Sequence, residues 1–150
     1  MKTIVPVVLA VLASLASSTA CAQFAKPEDA VKYRQSALSV MGTHFSRIGA
    51  MVNGRVPYDA KAATDNAQLV NDLSRLPWAG FGPGTDKLSP KAKPEIWTEQ
   101  AKFKEHGDKL AGETGKLLAA AKTNNLDNLK AAFGSTAATC KACHDAYRSN

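Results

Sequence analysis

Along most of this chain, apolar residues recur at alternating spacings of three and four, the period of a helix with one face turned to a core. The first such stretch opens at Pro27-Glu28-Asp29, where proline suits an early helical position and the acids sit at the positive end of the helix dipole. Its apolar positions are Val31, Leu38, Met41, Phe45, Ile48 and Val52, with Arg34 on the same stripe, and Asn53-Gly54 ends it. A second helix is predicted after Pro57, with Asp59 in its first turn and Ala63, Leu69, Val70, Leu73 and Leu76 turned inward, as far as the stop at Pro77. A third opens at Pro94-Glu95, buries Ile96, Phe103, Leu110, Leu117 and Ala121, and ends near Lys122. Asn125 caps a fourth, whose stripe is Leu126, Leu129, Phe133, Ala137, Cys140, His144 and Tyr147. No strand-like alternation competes with these four.

Short turns join the first helix to the second and the third to the fourth, whereas one long link joins the second to the third. The expectation is an all-α chain folded as an antiparallel four-helix bundle with a long crossover between helices two and three. That crossover begins Pro77-Trp78-Ala79-Gly80-Phe81-Gly82-Pro83-Gly84 and stays polar to Lys93, a run rich in turn residues that carries two large aromatics. Trp78 and Phe81 either pin the crossover onto the bundle or wall a cofactor pocket, and the two roles are compatible.

The first 22 residues read differently. Lys2 precedes an apolar run from Ile4 to Leu15, then small residues ending Ala20-Cys21-Ala22, the three parts of a secretory leader with cleavage after Ala22. The run is too short, and broken too early by Pro6, for a membrane span. The expected mature protein is therefore one exported domain, residues 23–150, outside the cytoplasm and without membrane insertion. The formal charge is +6 over 150 residues, or +5 once Lys2 is gone. Basic residues are scattered through every segment, with no aromatic-basic stripe of the kind that reads nucleic acid.

The leader removes Cys21, so two cysteines remain, too few for a disulfide scaffold in an exported domain. They belong to Cys140-Lys141-Ala142-Cys143-His144, a C-x-x-C-H signature of haem c attachment. On a helix all three side chains share one face. Two thiols can then add across the haem vinyl groups while the neighbouring imidazole reaches iron. A zinc site would need four ligands, and His44 and His106 form no second ligand pair; a thioredoxin-like pair would need a βαβ setting. Only six residues follow His144, so a sixth iron ligand would have to come from another helix, the first being the obvious source.

The chain resembles cytochrome c prime, the class II c-type cytochromes, over the whole stretch from Gln23 to Asn150. The resemblance is carried by Cys140 to Arg148, by Lys26 to Leu38 and by the loop Leu76 to Thr85, and is similar to the subgroup of denitrifying proteobacteria. It implies one covalent haem c, a periplasmic homodimer formed through the first two helices, and a five-coordinate, high-spin iron on His144. Leu38 matches the apolar side chain that blocks the distal face, Arg34 and Gln35 match positions at a propionate edge, and Arg148 matches the basic residue beside the proximal imidazole. The family binds NO and CO and is held to carry electrons to a redox partner, here unidentified, or to buffer NO. The segment Asp86 to Lys93 looks longer than in close relatives, which leaves open any propionate contact from Lys91 or Lys93.

Two further expectations follow from residue chemistry. An alternative places Met41, three residues past Leu38, on the iron as the axial ligand of a six-coordinate low-spin electron carrier, although methionine in a bundle core is ordinarily filler. The distal set Leu38, Trp78 and Phe81 has no acid-base group, so enzymatic turnover is not expected. His44 and His106 are expected at the surface or a dimer contact.

Overall fold

The computed structural model describes residues 23–149; the proposed leader lies outside them. Its helices are α1 (Pro27–Val52), α2 (Ala60–Leu73), a single turn α3 (Glu95–Thr98), α4 (Gln100–Ala121) and α5 (Leu126–Tyr147). Four of them, α1, α2, α4 and α5, form the bundle, and among the described residues there is no named strand.

Local chemistry sets the helix ends. Asp59 accepts a bond from the Ala62 N–H at the start of α2, and the Asn125 side chain accepts from Asp127 and Asn128 at the start of α5. Asn53 folds back onto Gly49 at the end of α1, with Gly54 next to it in the left-handed region, where a side chain would be strained.

Cross-helix contacts give the directions. Thr64 on α2 meets Ala121 while Ser74, just past its end, meets Thr114, so α2 and α4 run antiparallel. Phe45 stacks on Phe133 with ring centroids 4.3 Å apart, and Thr136 donates to the Glu113 carbonyl, joining α1 and α4 to α5. Gly49 lets that stack form: a Cβ there would lie 3.0 Å from the Phe133 ring.

One apolar cluster, built on Ile48, Val70, Leu110, Leu117 and Leu129, fills one end of the bundle. A smaller cluster of Ile96, Phe103 and Tyr147, covered by Trp78, Phe81 and Trp97, closes the other. Three expectations need correcting. Leu69 and Leu76 are 42% and 40% exposed; α2 ends at Leu73, capped by Ser74, and Pro77 starts a 3-10 turn instead of ending the helix. The third helix is broken at Glu99, which leaves helical geometry at φ −118°, ψ 43° and separates α3 from α4. The crossover is also more ordered than a loop, with 3-10 turns at Pro77–Phe81 and Asp86–Leu88.

Candidate haem site

Between the two clusters lies a cavity of about 740 Å³, within the range of about 300–1,000 Å³ that holds small molecules and cofactors. α5 forms one wall and presents Cys140, Cys143 and His144; α1 faces it with Arg34, Leu38, Met41 and Phe45; the crossover and α4 close it with Trp78, Phe81, Phe103 and Leu110. All nine residues singled out from the sequence line this one space, Gln35 and Arg148 at exposed positions among them. Met41 lines it too, but is buried in the main core, whereas Leu38 is only half-buried.

The donor set on α5 has a particular state. Both thiols are free and half-buried. Burial pushes Cys140 up, and pushes Cys143 to about 11, aided by its proximity to Cys140. His144 is held below its ordinary value, first by desolvation and then by the charge of Arg148, against a smaller opposing pull from Asp145. Since the residue is exposed overall, solvent moderates that effect; its sign favours the neutral imidazole, the form that ligates metal. Among the described residues no three His, Cys, Asp or Glu side chains gather to hold an ion. An iron here would have to bring most of its ligands with it, as a porphyrin does.

Arg34 is the centre of the opposite edge, as its place on the buried stripe suggested. It is 2% exposed, and burial lowers its pKa. One terminal nitrogen donates to the Gly80 carbonyl and the Thr85 hydroxyl; the other donates to the Thr85 carbonyl and, at 2.8 Å, to the Ser89 hydroxyl. The guanidinium also stacks over Phe81, 4.2 Å from the ring centroid. The ion pairs of the described residues join lysines to carboxylates three or four positions away, and none involves Arg34. A buried cation with neutral partners leaves room for an anion.

Trp78 and Phe81 pack in the bundle and also line the cavity. Their rings pack on Phe103, while Trp78 Nε1 donates to the Ser74 carbonyl and ties the crossover to the end of α2. His106 departs from expectation: it is half-buried, lines the cavity, and packs edge-on against Tyr147. Its spacing from Phe103 and Leu110, three and four residues, was the available signal. His44 instead bridges to α2, its Nδ1 2.8 Å from Asn66 Oδ1.

Free thiols, a neighbouring imidazole, apolar walls and a buried cation without a carboxylate fit a covalently held, dianionic macrocycle. The fold and cavity define a helical bundle built around a cofactor. Residues 29–148 match the family model described as Cytochrome C'. Cytochrome c' of Alcaligenes xylosoxydans xylosoxydans is 54% identical over 126 residues, covering 84% of this chain and 98% of that protein. That of Rubrivivax gelatinosus is 49% identical over 127 residues, with coverage of 84% and 98%. The crystal structure of the Rubrivivax protein superposes with a TM-score of 0.81 at 48% identity, over 85% of this chain and all of that one. A nitric oxide complex of a leucine-to-alanine mutant of the Alcaligenes xylosoxidans protein gives 0.80 at 52% identity, over 85% and 99%. The chain belongs to the cytochrome c' family.

Proposed function

We propose that this chain is an exported, periplasmic monohaem cytochrome that binds NO and CO and can pass single electrons to a partner protein. The observation that carries this reading is the pairing of opposite walls: Cys140, Cys143 and His144 on α5 against hydrocarbon from Leu38 on α1. When bound, the haem would supply an iron able to change oxidation state and to bind a diatomic gas. Everything else is the work of the chain. The two cysteines would anchor the macrocycle, His144 would supply the protein's nitrogen to the iron, and Leu38 would cover the group from α1 with a side chain that has no lone pair. Arg34 meets the propionate edge with Gln35 beside it. Because its four terminal N–H donors are taken by the crossover, only Nε–H is left for a propionate.

NO complexes of the Alcaligenes relative, including a ferrous arginine-to-alanine variant, support gas binding in the family fold. Val40 on α1 and Leu69 on α2 are exposed, which supports a homodimer formed through the first two helices. The experiment is an optical spectrum of the purified ferrous protein. Broad high-spin bands that shift on adding CO are expected, and Leu38→Ala should bind CO roughly tenfold faster or more, about 1.4 kcal/mol off the barrier. Sharp low-spin bands indifferent to CO would overturn the open-site reading in favour of Met41 as axial ligand.

A further inference from the structure

The end of α5 is tied to the far end of the crossover. Ala92 and Arg148 form an isolated antiparallel bridge, in which the Lys93 N–H donates to the Tyr147 carbonyl at 3.0 Å and the Ser149 N–H to the Lys91 carbonyl at 2.9 Å. The Lys93 ammonium adds a bond to the Asp145 carbonyl at 2.9 Å. The last residues of the helix are therefore held by three bonds to one short piece of crossover.

This clasp changes the geometry of Arg148. Its N–H still bonds the His144 carbonyl and closes the last helical turn, but its own backbone is extended, φ −123° and ψ 131°. A helical continuation would carry the side chain around the α5 axis; the extended residue instead leaves along the bridge. The residue lines the same cavity as His144, which lies one helical turn before it. Among the described residues its guanidinium has no hydrogen-bond or ion-pair partner, so its position is set by its backbone. Residues just past a helix end fray unless something ties them down.

We propose that the clasp between residues 91–93 and 147–149 positions Arg148 beside His144, making Ala92, Lys93 and Ser149 positioning residues for the proximal side. The inference rests on the haem reading above. It also gives the crossover two anchors: Ser89 is held by Arg34 on α1, and Ala92, three residues on, pairs with Arg148 just past the end of α5. The two faces of the cavity are thus linked through four residues of crossover.

The test uses the haem-loaded protein with four sequences: wild type, Arg148→Ala, Ser149→Pro and Ser149→Ala. Proline removes the Ser149 N–H and alanine keeps it. Amide exchange at Lys93 should quicken roughly five- to tenfold in Ser149→Pro, the change expected for one lost hydrogen bond, and stay unchanged in Ser149→Ala. The rate of NO loss from the ferrous protein, followed by its visible spectrum, should move in Ser149→Pro in the direction seen for Arg148→Ala. Ser149→Ala should match wild type. Ala92→Gly, which loosens the crossover strand without removing a donor, should fall between.

A Lys93 amide set free while NO loss stays at the wild-type rate would overturn the proposal, provided that Arg148→Ala alters that rate. An Arg148→Ala protein identical to wild type would overturn it too, yet leave the haem reading intact if the spectrum still responds to CO. A wild-type spectrum indifferent to both gases would take down the underlying reading as well.

Discussion

Arg34 carries a full charge at a position closed to water, and the groups around it are hydroxyls, carbonyls and aromatic faces. The stripe pattern was enough to mark it as desolvated, because an arginine on the inward face of a helix must find acceptors. Which acceptors was not legible: Gly80, Thr85 and Ser89 lie 46 to 55 residues away, and no local pattern encodes such a distance. Tyr58 is the opposite case. Its hydroxyl is buried without a partner beside the main core, an arrangement that costs about 1–3 kcal/mol. Tyr58→Phe should therefore raise the unfolding free energy by about 1 kcal/mol, read from chemical denaturation. A loss of stability would mean that the hydroxyl finds a partner in solution.

Among the elements, helix limits governed by capping were readable and those governed by packing were not. Asp59 and Asn125 bond to N–H groups two or three residues on, so the signal and its effect sit together. The break at Glu99 has no proline or glycine to announce it; it lies where α3 turns toward the crossover. Leu69 and Leu76 were misjudged because an apolar residue near the stripe looks buried whether or not a neighbour covers it. Among the glycine positions, the closest approach between elements is that of α1 with the turn Pro77–Phe81. A Cβ on Gly80 would sit 2.6 Å from the Ala30 carbonyl oxygen and 2.7 Å from the Arg34 Cβ. Gly80→Ala should cost about 1–3 kcal/mol as the turn lifts from α1, and a denaturation midpoint at the wild-type value would sink that account.

For the molecule as a whole, the cavity is a weak point. It measures about 740 Å³ and has exposed Gln35, His144 and Arg148 on its lining, so water can enter wherever no cofactor fills it. Without its cofactor the bundle must flood or loosen. A Cys140→Ser/Cys143→Ser protein produced without attached haem should keep most of its far-UV helical signal, lose its near-UV signal and bind a hydrophobic dye. An attachment-free variant with native near-UV intensity would show that the two clusters hold the bundle unaided.

Both tryptophans of the chain stand at the closed end of this space. Trp78 forms part of the cavity wall, and Trp97 packs in the cluster that includes Cys143. A porphyrin seated there would absorb at the wavelengths indole emits, so resonance transfer would leave the holoprotein nearly dark under ultraviolet excitation. The chain thus contains its own lamp for following maturation: emission from newly made polypeptide would fade as attachment proceeds, with no label added.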